Sequence, residues 1–404
     1  MKQTFVMTIA VILLAVAVPL GVHVSARMQS ESSSEKGGDS GEETAMRGGA
    51  GMKAGDYRLS GPFTHKNLTI YLIHGKNLIE GRSFLTLQEA LEQKKVVVYE
   101  TNDVNELSIQ NRSRQDVYVQ AGDIVKGGQQ DRVLAVDLIV PPKSKRMPIA
   151  AFCVESGRWN KRKGERVEVF SSAAEIVATK DLKLAAKRTK SQGAVWENVT
   201  VAQDKLSENV GTRVNSAVSE SSLQLAVENG KVQETAAGYT RALAGIVRGK
   251  TDVIGYVFAI NGMVNSADVY ASSELFKRLW PKLLKANAIE AIAELQKDLK
   301  FEPATAENVK TFLVEAESSK PAEKEVTTRI KLLTREDDKN ILLKPRIDLR
   351  RDGYTGTILG SRRLGRKWTT RRAGRIIYHF SFDISHLSSP EIVSPCRVPM
   401  TNDQ

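Results

Sequence analysis

The chain has 404 residues, 41% of them hydrophobic, which is enough for a sizeable core, and a formal net charge of +12. Two cysteines, Cys153 and Cys396, and five scattered histidines exclude a thiolate metal cage and argue against a structural zinc site. The charge does not point to nucleic acid. More than half of it lies after Asn340, and the other basic run, Lys143 to Lys190, is interleaved with Glu155, Glu165, Glu168 and Glu175 without an aromatic-rich stripe.

Residues 1–26 have the layout of a secretory signal: Lys2, an apolar run from Phe5 to Leu20, then Val24, Ser25 and Ala26 as small residues for cleavage. The same run is close to the length of an uncleaved membrane anchor. The expectation is a secreted or periplasmic protein, touching a membrane only through an uncleaved N-terminal segment. Residues 27–55 are rich in Ser, Gly, Glu and Asp with almost nothing to bury, so they read as a disordered linker. In an exported protein of this size Cys153 needs no disulfide, and a buried, unpaired thiol is the simplest expectation.

From Tyr57 to Val154 the pattern is mostly strand. Leu68 to Ile73, Val96 to Tyr99, Leu107 to Ile109 and Val117 to Val119 carry β-branched and aromatic residues. Val133 to Val140 reads as the strongest strand, ended by Pro141 and Pro142. One helix interrupts at Thr86 to Lys94, where Thr86 and Glu89 have capping-box spacing. Asn111 to Ser113 and Ala121 to Asp123 read as turns.

The middle third predicts helices over Ala173–Ala178, Leu182–Lys187, Val195–Val210, Ser219–Glu228 and Thr235–Val247, on the polar outside of the core. Val253 to Ile260, Asn261-Gly262 and Met263 to Tyr270 predict a hairpin with a type I′ turn. An amphipathic helix starts at Ser273, with Pro281 expected to kink or divide it. Phe312 to Val314 and Thr327 to Leu333 read as strands. Residues 336–404 form a basic, poorly patterned tail, readable either as an interaction tail or as an incidental extension.

Two segments concentrate recognition chemistry. Gly127, Gly128, Gln129, Gln130 and Arg132 could form a nest of N–H groups for an anion, closed by arginine. The same residues equally fit a bulge or β-turn before Val133, where glycine supplies φ > 0. Glu155, Arg158 and Trp159 suit a sugar or base by stacking and bidentate bonding, or else an ordinary internal salt bridge under a tryptophan. For acid–base chemistry Asp123, Asp131 and Glu155 are the carboxylates nearest these motifs. No phosphate loop, serine elbow, zinc-protease helix or dinucleotide fingerprint occurs.

The run Gly122 to Arg132, the block Cys153 to Trp159, the hairpin Gly255 to Gly262, Ala267 to Tyr270 and Leu279 to Leu284, in that order, resemble one family. It is the domain named for its association with ADP-ribosylglycohydrolases and rhodanese-phosphatases, and the resemblance covers about Asp56 to Lys300. It implies proximity to ADP-ribose chemistry. The fold expected is α+β: a mostly antiparallel β core with inserted helices and an amphipathic helix towards the C-terminus, over 56–335. The function expected is an exported cell-envelope module binding a small phosphorylated or anionic ligand, with no cofactor. The alternatives are a hydrolase of ADP-ribose or nucleotide-sugar derivatives and a structural envelope protein.

Overall fold

A computed structural model describes residues 57–79, 82–158, 160–186, 190–318, 320–327, 330–336, 340–348 and 376–384. The expected signal, the linker, Trp159 and most of the tail lie outside these residues.

The chain opens with β1 (Arg58–His65), β2 (Leu68–His74) and β3 (Phe84–Thr86), followed by α1 (Leu87–Glu92). Six strands follow: β4 (Val96–Asp103), β5 (Glu106–Asn111), β6 (Asp116–Val119), β7 (Asp123–Gly127), β8 (Arg132–Leu134) and β9 (Leu138–Val140). After β10 (Met147–Cys153) and β11 (Val169–Val177) come α2 (Lys180–Leu184), α3 (Gln192–Val210), α4 (Leu223–Val227) and α5 (Gly230–Leu243). The hairpin β12 (Val253–Ile260) and β13 (Met263–Tyr270) leads to α6 (Ser273–Ala293) and α7 (Ala306–Ser318). The strands β14 (Pro321–Thr327), β15 (Ile330–Glu336), β16 (Asn340–Asp348) and β17 (Ile376–Ile384) complete the described chain.

The class is α+β with largely antiparallel pairing. Eight strands form one sheet in the order β1-β2-β12-β13-β17-β16-β15-β14, and six close into a barrel, β10-β5-β4-β11-β7-β8. The short strands β3, β6 and β9 make a third sheet in which β3 and β6 run parallel.

The buried strands explain this layering. Every residue of β2 is buried, and its alternation feeds two cores. Leu68, Ile70 and Leu72 enter the large core shared with α6, while Tyr71 and Ile73 meet Val309, Phe312 and Leu313 of α7. Each such apolar side chain stabilises the fold by roughly 1.5–3 kcal/mol when fully buried. The Asn261-Gly262 turn has φ of 51° and 78°, the two positive values that a type I′ hairpin requires. At α1 the Thr86 hydroxyl accepts from Glu89 N–H, and the Glu89 carboxylate accepts from Thr86 N–H at 2.8 Å, a complete capping box.

Several expectations need correcting. Residues Ala173 to Val177 belong to strand β11, paired with β7, because closing the barrel outweighs the helical propensity of two alanines and a glutamate. The run Val133 to Val140 is two strands in different sheets. It breaks at Asp137, whose buried Oδ1 accepts from Tyr118 OH and Ala121 N–H, both at 3.1 Å. Phe312 to Val314 lie in α7, where Val309, Phe312, Leu313 and Ala316 share one buried stripe. Pro281 does not divide α6, which runs as one helix through it, and Ala286 to Ala293 are all buried. Nor is the middle third peripheral: Val195, Leu206, Leu223, Val232 and Tyr239 all enter the large core.

One detail fastens the helical middle to the barrel. The Gln192 side chain opens α3, donating from Nε2 to Cys153 O at 2.7 Å and accepting from Cys153 N–H at 2.9 Å through Oε1.

Candidate functional site

Strands β7 and β8 are joined by Gly128 to Asp131, and this connection makes the first polar centre. Gly127 and Gly128 have φ of +124° and +58°. A Cβ on Gly128 would strike the Phe170 ring and stand 2.8 Å from Glu100 Oε2. The main-chain N–H groups do form an anion-binding nest, but the anions are the chain's own. Gly127 N–H donates to Asp131 Oδ1 (3.0 Å), Gln129 N–H to Glu100 Oε2 (3.4 Å) and Asp131 N–H to Glu155 Oε2 (3.2 Å), while Gly128 N–H donates to Arg166 O (3.2 Å).

Asp131 and Glu155, both fully buried, sit at the middle of an ionic network. Asp131 Oδ1 accepts a short hydrogen bond from Arg162 Nη2, and Oδ2 accepts from Ser222 Oγ at 3.3 Å. Glu155 Oε1 accepts from Arg158 Nε at 2.7 Å and lies 3.5 Å from Arg162 Nη1. Arg162 also donates from Nε to Glu165 Oε1 at 2.9 Å. Burial dominates at Asp131 and raises its pKa, although Arg162 pulls the other way. Burial pushes Glu155 up too, but hydrogen bonds from Arg158 and Ser219, with the charges of Arg158 and Arg162, hold its carboxyl below the usual value. The two carboxylates are thereby driven in opposite directions.

The expected recognition residues divide into two groups. Residues adjacent along a strand face opposite ways, so Arg132 turns away from Asp131. Its Nη1 donates to Val104 O at 3.0 Å and to Cys153 Sγ, and Nη2 lies 3.4 Å from Glu100 Oε1. Gln129 falls on this side as well, with Nε2 donating to Asn102 Oδ1 at 3.0 Å. Glu155 and Arg158 belong to the Asp131 side. Arg158 reaches the β7–β8 connection from Nη1, which donates to Gly128 O at 3.4 Å. Gln130 is fully buried, and neither end of its amide has a partner among the described residues. Cys153 is buried, and desolvation outweighs the Arg132 charge to push its thiol up to about 11.

Arg158 reaches a surface hollow. An open depression of about 460 Å³ is lined on one side by Ser156, Gly157, Arg158 and Asn160, and on the other by Val218 to Ser221. Its walls are tied together: Ser156 N–H donates to Ser221 Oγ at 3.0 Å, and that hydroxyl donates to Ser156 O at 2.7 Å. Behind it Trp196 Nε1 donates to Glu155 O at 3.2 Å. Arg158 Nη2 is itself buried, has no hydrogen-bond partner among the described residues, and lies 3.7 Å from Asp131 Oδ1. The lining is hydroxyl-rich, and the charges of Arg158 in it and of the buried Arg162 are balanced by Asp131, Glu155 and Glu165.

A second polar centre lies at the other end of β7, roughly 13 Å away for four residues of extended strand. Lys282 of α6 donates from Nζ to Asp123 Oδ1 at 2.8 Å, with both side chains nearly inaccessible at 7% and 4% exposure. Asp123 Oδ2 accepts from Gln120 N–H at 2.9 Å. Nearby, Tyr256 OH donates to Asp268 Oδ2 at 3.1 Å, and Lys183 Nζ lies 3.8 Å from the same oxygen. Burial raises the hydroxyl pKa of Tyr118, Tyr256 and Tyr270 well above the usual value, reinforced by the charges of Asp137 and Asp268. The sequence reading passed over Tyr118, Tyr256, Asp268, Tyr270 and Lys282 as site residues. Their signal was present: Asp268 and Lys282 are charges at core positions of otherwise apolar patterns.

Each block singled out in the sequence therefore delivers side chains to one of these two centres. Comparison with curated proteins and with solved structures finds no match. Comparison with protein families matches residues 56–344, most of the chain, to the domain described as "ARG and Rhodanese-Phosphatase-superfamily-associated Protein domain". The chain belongs to this family.

Proposed function

We propose that the protein is an exported ligand-binding module of the cell envelope. Its ligand is a hydroxyl-rich, phosphorylated compound of ADP-ribose-like character, taken up at the hollow between Ser156–Asn160 and Val218–Ser221. One observation carries the reading. A buried ion network anchors Arg158 through Glu155 and Asp131, and the edge of its side chain that stays exposed lines a hollow walled by serine hydroxyls. Guanidinium pairs with phosphate, and hydroxyls and amides complement ribose. Preorganisation of this kind favours binding because little side-chain freedom is lost on association. Export rests on the layout of residues 1–26.

Differential scanning fluorimetry of the full chain against ADP-ribose, ADP, ribose 5-phosphate and inorganic phosphate tests the ligand. A compound at 100 times its Kd stabilises the native state by about 2.7 kcal/mol, a shift of several degrees. Arg158→Met is expected to remove the shift. If no compound moves the melting point, the ligand class is wrong. Signal removal is read separately, from the mass of the mature N-terminus.

A hydrolase acting on the same class of compound is the second reading. It is favoured by the opposed pKa displacements of Asp131 and Glu155, the environment that divides acid and base roles between two carboxylates. Product release from ADP-ribose derivatives, abolished in Glu155→Gln, supports it. Binding without turnover refutes it.

A further inference from the structure

The edge of the eight-stranded sheet gathers a serine, a histidine and an aspartate. Ser60 lies on β1, the outermost strand, opposite Leu72, and Arg58 lies opposite His74. Ser60 and His74 are therefore diagonal neighbours on one face, within reach of each other's side chains. On its other side His74 pairs with Val253, which brings in Asp252 just before β12.

The distances are those of a relay. His74 Nε2 is 2.7 Å from Ser60 Oγ, and Nδ1 is 2.9 Å from Asp252 Oδ1. Nδ1 lies 3.0 Å from Arg58 Nη2 as well as 2.9 Å from the Asp252 carboxylate. An ionised carboxylate can only accept, so in the tautomer with hydrogen on Nδ1 the Nε2 lone pair faces the serine hydroxyl, which donates to it. Arg58 Nη2, 2.6 Å from Asp252 Oδ2, holds the carboxylate from its other oxygen. The hydrogen bond from His74 keeps the Asp252 carboxyl below its ordinary pKa. His74 is only 5% exposed, so its ring is fixed by packing, whereas Ser60 remains partly accessible.

We propose that Ser60, His74 and Asp252 form a nucleophile, general base and orienting carboxylate that transfer acyl groups from activated esters to water. The constellation is recognised by geometry and roles rather than by fold. Ser60 Oγ attacks the ester carbonyl while its proton moves to His74 Nε2. The carbon–oxygen bond to the leaving group then breaks, and His74 returns the proton to the departing oxygen. A water molecule attacks the acyl-serine, giving its proton to Nε2, and the carboxylic acid departs as Ser60 is restored. Ester and water become acid and alcohol, with no other reactant. Asp252 acts through His74 and is a positioning residue. The set supplies a nucleophile and a base, so the substrates are esters with good leaving groups, such as aryl acetates.

The decisive experiment treats the folded full chain with a fluorophosphonate probe and maps the adduct by mass spectrometry, alongside 4-nitrophenyl acetate hydrolysis. One adduct is expected, on Ser60, absent in Ser60→Ala. His74→Gln is expected to slow both labelling and hydrolysis by about 10²–10⁴-fold, the usual contribution of a positioned base. Asp252→Asn should keep the serine labelable but slow it, because the imidazole loses its assigned tautomer. Melting points of the three variants show that they are folded. The proposal is overturned if the folded wild type carries no adduct at Ser60. It is equally overturned if a folded His74→Gln reacts at the wild-type rate, since the histidine would then be only a hydrogen-bond partner at the sheet edge.

Discussion

Replacing Lys282 by Met tests the buried ion pair that joins α6 to the start of β7. The side chains of Lys282 and Asp123 are 7% and 4% exposed, and their 2.8 Å hydrogen bond is the principal compensation for burying the carboxylate. Methionine matches the aliphatic stem of lysine, so packing changes little, but among the described residues Asp123 is left with the hydrogen bond from Gln120 N–H. Removing one partner of such a pair costs about 3–5 kcal/mol, mainly because a buried charge is stranded. For a domain of this size each kcal/mol moves the melting point by about 2–4 °C, so a fall of roughly 6–20 °C is expected. Adding Asp123→Asn should restore most of it. The amide oxygen still accepts from Gln120, and no charge is left unpaired. Calorimetry of the wild type, both single variants and the double variant at one scan rate yields the coupling, expected above about 2 kcal/mol. Two results would refute the reasoning: Lys282→Met melting within 2 °C of wild type, set against the size of loss worked above, or a double variant no more stable than the worse single one.

Three further outcomes follow from the geometry. Gly128→Ala should destabilise by about 1–3 kcal/mol, because φ is +58° and the added carbon meets Phe170 and Glu100, while Gly157→Ala, with open space around it, should cost less; equilibrium urea unfolding compares them. Glu155 has its folded pKa depressed, so its contribution is present above the unfolded value near 4.3 and is lost as pH falls through the folded one; Glu155→Gln should flatten the decline in melting point below about pH 5. Cys153, buried and with its thiol raised to about 11, should resist iodoacetamide at pH 8 in the native protein and react promptly in urea, as read from the mass of the peptide that contains it.

What the sequence disclosed was mostly local. The Thr86–Glu89 cap and the Asn261-Gly262 turn are encoded within a few residues, and both form as expected. Barrel closure is not local. Nothing near Ala173 to Val177 announces that the stretch will pair with β7, about fifty residues earlier, so its helical composition misled. Likewise Val133 to Val140 hides its break, because Asp137 is stabilised there by Tyr118 and Ala121 rather than by its sequence neighbours. At the candidate site, the sequence named two loops that come together in the fold, but not the facing of their side chains. Strand alternation sends Arg132 to Glu100 and Asp131 to Arg162, a division invisible until register is known. Arg162, the cation shared by Asp131 and Glu155, drew no notice in a run of solvated charge.

Where β5 leaves off, the barrel wall at Cys153 is finished by a glutamine amide instead of a peptide group. One turn further along α3, Trp196 grips the next segment at Glu155 O, so the two residues clamp the wall from one stripe of a helix. A closure made by side chains works as a latch: rotating Gln192 releases both bonds at Cys153 together, with no strand to unzip. The segment leading into the hollow and the long helix beside it are thus held together by side-chain hydrogen bonds rather than by strand pairing.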